Sequence, residues 1–588
     1  MRDDLGRLRA LAGFDSASAL NKCRYISERV LRTLCDQTGT SWGKTEPTLE
    51  NMLGPLVARG VIPKNIGVHL RTIQANASPG SHFQSEPLSD AHVFIAVVAL
   101  LDVLEWYLRQ RDPQARIEPA PGVFGPPLST RSPTGRTGDR YLGRAIEEYD
   151  MFYGDKALTA LRAALKVDPT HPRALAYVIL FGGAPRTEQE SAAKLLRSLA
   201  PSLDGPERTL AECAGAVVTA GPLAARKVLP AAVESPDPEL SFWRAELAYR
   251  SGDMAEAELS FRAIADNPNV RFRGRLFDHL SAVLLLHHKT MEAEEVGRAF
   301  VEAFPAEAEA LGVHATALAM AGRLEEALPA AEEAVALRDD EDTRAGLAKV
   351  LAMRGELEAA AAGYEKAIAV APDARRALRR AALGMVRLLQ GDRDAAAAAV
   401  EPCITGADAA LPSLGAAHFV AALASPARLD DMLSRLSRLS SDAKRARASL
   451  ERPEHIARLL KAARLVGAGA FASDFAAAEP TDAACEEARK LLVGPCELAT
   501  IYHVPHAAPL AWLVAARAQR DGGATLRTAL AAYPGSPHLL LALAEELASD
   551  DPAEAIALLE QIESVWATAD EGVPVLLAAS SLLDRLPR

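Results

Sequence analysis

Apolar residues return every three to four positions through most of this chain, the period of a helix with one buried face. From Ser16 to about Gln37 the stripe is Leu20, Cys23, Ile26, Val30, Leu31 and Leu34, with Gly39 placed to end the helix. Leu49, Met52, Leu53, Leu56 and Val57 predict a second helix from Thr48 to Arg59, closed by Gly60. A third starts near Pro63, a residue suited to a first helical position, and carries Ile66, Leu70 and Ile73. A fourth spans about Ser89 to Arg109, and four such helices can close a small bundle over residues 1–110. Residues 111–138 hold Pro113, Pro119, Pro121, Pro126, Pro127 and Pro133, a density no helix survives. This stretch is expected to be a semi-extended, flexible linker.

From residue 139 to 588 the pattern predicts helical hairpins, and between 238 and 408 they repeat. Gly252, His288, Gly322, Gly355 and Gly391 follow one another at intervals of 36, 34, 33 and 36 residues. Five residues after each stands an alanine: Ala257, Ala293, Ala327, Ala360 and Ala396. The first position suits a turn that leaves a helix with positive φ, and the alanine suits a close crossing of two helices. Pro268, Pro305 and Pro372 fall where second helices should end. Residues 174–236 and the chain after 409 read as hairpins without this signature.

These units resemble tetratricopeptide repeats, most closely at 340–373 with Leu347, Ala348, Gly355, Ala360, Tyr364, Ala367 and Pro372. The aromatic residues of the first helix are mostly missing, and Gly297 stands where one copy should have an aromatic in the second. The resemblance implies an all-α, right-handed superhelical solenoid whose first helices line a concave face for a partner protein. In the N-terminal region Ala19 to Arg24, Gly60 to Pro63, and Leu70 to Gln74 leading to Gly80-Ser81-His82 resemble a bacterial helical domain of unknown function. That domain is akin to the HEPN superfamily and is often joined to signalling or defence modules. Catalytic HEPN domains cut RNA with an arginine and a histidine, roles the resemblance would carry to Arg71 and His82. Ten residues separate them here, Gln74 stands where relatives often carry Arg, and Ala77-Ser78 stands where they show Gly-Asn. A structural or binding role for His82 is therefore the expectation, with a repeat-regulated ribonuclease as the alternative.

Composition agrees with an all-α chain: of 588 residues 49% are hydrophobic but only 5% aromatic, so Ala, Leu and Val dominate. Residues 1–110 carry 12 Lys/Arg and 11 Asp/Glu, residues 111–138 carry 4 and 2, and the remainder carries 49 and 64. The repeat array is thus acidic, which disfavours non-specific nucleic-acid binding. The longest apolar run, Val93 to Leu101, is far short of the ~20 residues of a membrane span, and Met1-Arg2-Asp3-Asp4 does not open a secretory signal. Six scattered cysteines fit free thiols and a cytoplasmic location.

Candidate chemistry is sparse. Cys485, Cys496, His503 and His506 have the spacing of no common zinc finger, and Gly467-Ala468-Gly469 lacks the preceding strand of a dinucleotide loop. Neither a metal nor a cofactor is expected. Arg375, Arg376, Arg379 and Arg380 form two i,i+4 pairs at the start of a repeat helix. The plain reading is a solvated face. The sharper one is a clamp for an acidic partner tail, with Met353 and Met385 adding apolar contact. A non-catalytic adaptor is the expected function, and a third possibility is that the N-terminal domain joins two copies as a homodimer.

Overall fold

The computed structural model describes residues 8, 16–42, 48–77, 90–110, 138–230, 237–267, 269–305, 307–405, 414–446, 453–467, 480–492, 504–519 and 521–587. His82, Pro268, Cys496, His503, Gly469 and nearly all of the proline-rich stretch lie outside them. Every long element among the described residues is an α-helix. The chain forms two compact units, Met1–Thr219 and Ala220–Arg588.

In the first unit, α1 (Ser16–Thr38), α2 (Leu49–Ala58), α3 (Lys64–Ala77) and α4 (Asp90–Arg109) pack on one another. The stripe residues of α1 are buried, and Thr48 caps α2 through its side chain. Gly39 and Gly60 leave their helices at φ of 61° and 69°, which only glycine adopts at little cost. Five more helices belong to this unit: α5 (Asp139–Asp150), α6 (Gly154–Val167), α7 (Pro172–Leu180), α8 (Arg186–Leu199) and α9 (Gly205–Ala220). The pairs α5/α6 and α7/α8 are antiparallel hairpins, the first turned by Phe152 at φ 68° and the second by Gly182 and Gly183.

The second unit opens with the short α10 (Pro222–Arg226) and continues as stacked hairpins. First and second helices alternate as α11 (Pro238–Arg250) and α12 (Met254–Ala265), α13 (Arg273–Leu286) and α14 (Thr290–Ala303), α15 (Ala308–Met320) and α16 (Leu324–Leu337). They go on as α17 (Glu341–Met353) and α18 (Leu357–Val370), then α19 (Asp373–Leu389) and α20 (Arg393–Thr405). Each first helix packs on its own partner and on the next first helix, so the apolar face of every hairpin is covered by its neighbours. This is the all-α, tetratricopeptide-like solenoid that the spacing of glycines and alanines calls for.

The turn row behaves as its chemistry requires. Gly252, Gly322, Gly355 and Gly391 have φ between 75° and 84°, and His288 follows them at 60°. The five alanines are fully buried in the helix crossings. Gly297 serves the same need: a Cβ there would lie 2.9 Å from the Cα of His314 on the next helix.

Hairpins without the signature follow: α21 (Leu414–Ala424), α22 (Leu429–Ala446), α23 (Pro453–Leu465) and α24 (Asp482–Leu491). After them come α25 (Ala507–Ala518), α26 (Gly522–Ala532), α27 (Pro537–Leu547), α28 (Pro552–Val565) and α29 (Pro574–Leu583). The loops that precede α27 and α29 return to the turn row of the earlier repeats, in the same order along the chain, and His506 just before α25 reaches the Ala352 carbonyl. Tyr533 meets His288, Gly535 meets Gly322, Trp566 meets Met353 and Pro574 meets Gly391. A second run of hairpins is thereby seated edge to edge on the first.

Candidate functional site

The first helices of the repeats bring a row of ionisable side chains together near their N-terminal ends. Asp340 caps α17, accepting from the backbone N–H groups of Asp342 and Thr343, so the helix starts with Glu341 and Asp342 in its first turn. Both carboxylates face α19, one hairpin further along. Arg379, 8% exposed, donates from Nε to Glu341 at 2.7 Å and also pairs with Asp342. Arg375, half exposed, lies 2.7 Å from the other oxygen of Glu341 and also reaches Asp342. The next hairpin toward the N-terminus adds Glu309, 2.7 Å from Arg338, and α13 adds Asp278.

Burial and the proximity of Asp278 and Asp342 push the Glu309 carboxyl well above the usual carboxylate range. For Asp342 burial works in the same direction, but Arg379 and Arg375 outweigh it and hold that carboxyl down. Further along, Glu246 is almost fully buried between Arg250 and His279, whose Nδ1 is 2.6 Å away. Burial alone would raise its pKa, yet Arg250 and His279 hold it far below normal. Lys349 on α17 is pushed down to about 7 by burial and by Arg379.

The four arginines thus share one helix but not one task. Arg375 and Arg379 are paired with carboxylates of the previous first helix. Arg376 donates to the carbonyl of Ala371 and Arg380 to that of Ala399, both partly buried. Met385 is fully buried and Met353 nearly so, and the Met353 carbonyl accepts a hydrogen bond from Trp566. Sequence reasoning picked the basic half of this cluster and missed the acidic half. The signal was available, because Glu341 and Asp342 stand about one repeat length before Arg375 and Arg379.

A second polar cluster ties the first unit together. His69 Nδ1 lies 3.3 Å from the Tyr141 hydroxyl and 3.6 Å from Asp102, and its ring stacks on Tyr141. Arg140 bridges Asp102 at 3.0 Å and Glu105. Burial, with Arg140 in support, pushes His69 down to about 4, and burial pushes Asp102 up to about 7 despite Arg140. With His69 only 1% exposed the cluster joins α3, α4 and α5 rather than opening to a substrate. Arg71, on the same helix, points to solvent. Cys485 sits near the Arg517 carbonyl, away from His506, which belongs to the edge contact described above. Among the described residues no cluster of His, Cys, Asp and Glu could hold a metal ion, and no helix is long and apolar enough to cross a membrane.

No protein-family model matches the chain, and no curated protein matches it in sequence. Among solved structures it is similar to a chain of the APC/C hetero-tetramer Cut9–Hcn1, at 12% identity. That likeness covers 98% of this chain and 94% of the other, with a TM-score of 0.38. Nothing about this chain's partners follows from a similarity of that size.

Proposed function

We propose that this protein is a non-catalytic scaffold that takes a partner protein on the first-helix face of its repeats. The observation that carries the reading is the ladder of ionisable side chains spanning α13, α15, α17 and α19, set on hairpins whose apolar faces are already used for stacking. Most of the ladder is buried, and the side chain that stays open to solvent is the one left to meet a partner. Arg375 is the member with most exposure, and a guanidinium half open to solvent can exchange its carboxylate partner for one brought by an acidic tail. Arg379, held by Glu341, would then position the ladder rather than touch the partner.

The test is affinity capture with full-length protein and with Arg375→Ala and Arg376→Ala, read by quantitative mass spectrometry. A partner lost from both variants while their melting curves match the parent supports the reading. An unchanged partner set removes the arginine clamp. If capture with the parent protein yields no partner and the purified protein cleaves RNA, the scaffold reading fails as a whole.

A further inference from the structure

The edge contact between the two runs of hairpins is built from turns and loop ends. Met353 and Ala352 end α17, where carbonyls lack intrahelical donors. Trp566 Nε1 donates to the Met353 carbonyl at 2.7 Å, and His506 Nε2 lies 3.2 Å from that of Ala352. Around them His288 reaches Tyr533 at 2.6 Å, Thr290 donates to the Ala532 carbonyl at 2.8 Å, and the Asp570 N–H donates to Gly355 at 3.1 Å. Such a boundary, polar and made by few side chains, resembles surfaces that part and rejoin more than a continuous core.

At its centre lie two imidazoles. His506 and His538 sit 5.3 Å apart between ring centroids, and both present edge-on geometry to Trp566, at 5.7 and 6.0 Å. Both are almost fully buried. The ionisable group facing them from α17 is Lys349; His506 at the start of α25 and His538 on α27 face each other; the loop after α28 brings Trp566, which does not titrate. Arg354 and Glu356 stand at the outer end with Thr568. Protons added to the two rings would place like charges side by side next to Lys349, out of water.

We propose that this seam is a proton-operated latch: neutral His506 and His538 hold the C-terminal hairpins on the turn row, and their protonation releases the seam while the hairpins on both sides stay folded. Burial is the main reason that His506 in the closed seam is pushed down to about 4, with Lys349 adding to it and the Ala352 carbonyl opposing. His538 is pushed down by burial and by His506. Once released, an imidazole returns to about 6.5. Between those two values His506 alone raises the opening equilibrium about thirtyfold at pH 5, and His538 acts in the same direction.

The experiment is hydrogen exchange on the full chain at pH 7.5 and 5.0, corrected for intrinsic rates, with far-ultraviolet circular dichroism on the same samples. Amides of 353–358 and 566–574 should lose protection at pH 5.0, while helical signal and protection inside α11 to α16 persist. Trp566→Ala supplies the open reference at both pH values. The double variant His506→Asn/His538→Gln should keep its neutral-pH protection at pH 5.0. Where that variant is already open at pH 7.5, the parent's pH series decides alone. The latch is refuted if the parent's seam amides are as protected at pH 5.0 as at 7.5, or if helical signal falls in step with them. It is equally refuted if a closed double variant opens with pH as the parent does.

Discussion

Replacing Gly355 by alanine separates two costs that coincide at one turn. The first is local: at φ 82° a Cβ meets the backbone, at about 1–2 kcal/mol for any L residue with a side chain. The second comes from the return of the chain. A Cβ on Gly355 would lie 2.6 Å from the Cβ of Ala569 and 2.8 Å from Cδ2 of Trp566, so the loop between α28 and α29 must yield. Overpacking of this kind costs a further ~1–3 kcal/mol. Gly60 is the control, with φ 69° and nothing within 4 Å of its Cβ position, so Gly60→Ala carries the local cost alone. Thermal melts should therefore place Gly355→Ala below Gly60→Ala. Hydrogen exchange should show the Asp570 amide, bonded to the Gly355 carbonyl, losing protection before α17 and α18 do. Adding Ala569→Gly removes the nearer obstruction and should recover about 1 kcal/mol of the second cost but none of the first. The reasoning is wrong if Gly355→Ala melts with Gly60→Ala and the Asp570 amide stays as protected as in the parent.

Other expectations follow from the same geometry. Trp566→Phe keeps most of the ring but leaves the Met353 carbonyl without its donor, which should lower stability by about 1–2 kcal/mol, against ~3–5 for Trp566→Ala; chemical denaturation followed at the seam measures both. Arg379→Ala, which strips a buried Glu341 of its buried guanidinium partner, should melt several degrees below Arg375→Ala, whose half-exposed pair is worth at most about 1 kcal/mol. In the first unit the two shifted groups oppose each other. His69, held down to about 4, contributes stability that is whole above pH 6.5 and is lost as pH falls toward 4. Asp102, held up to about 7, contributes stability that is whole below pH 3.8 and is lost as pH rises through 7. The two nearly cancel between pH 4 and 6.5. Asp102→Asn should therefore make the first unit less stable by about 1.4 kcal/mol for each pH unit of acidification in that window, and His69→Gln should reverse the slope; pH-resolved melts of this unit check the sign.

What could be read from the sequence was whatever acts within one hairpin. A turn with positive φ demands glycine and a close crossing demands alanine, so Gly322, Ala327, Gly355 and Ala360 announce their geometry without reference to distant residues. His288 breaks that rule, and its reason lies 245 residues away, where the Tyr533 hydroxyl meets it. Arg375 and Arg379 on α19 are legible as charge but not as pairs, since their partners sit on the previous first helix. Trp566, His506 and His538 carried no local signal, because a histidine buried beside a helix end looks in sequence like any other. Gly297 looks in sequence like a missing aromatic, although the approach of α15 leaves no room for a side chain of any size.

Arrays of this kind ordinarily tolerate gain or loss of a whole unit, since each hairpin touches only its neighbours. The return of the C-terminal loops removes that freedom. Trp566 finds Met353 across 213 residues, and Pro574 finds Gly391 only if the intervening chain holds its present number of hairpins. Deleting one of the hairpins between α20 and α25 would bring each loop to the wrong turn and take Trp566 away from the Met353 carbonyl. In this chain the length of the array is a fixed dimension.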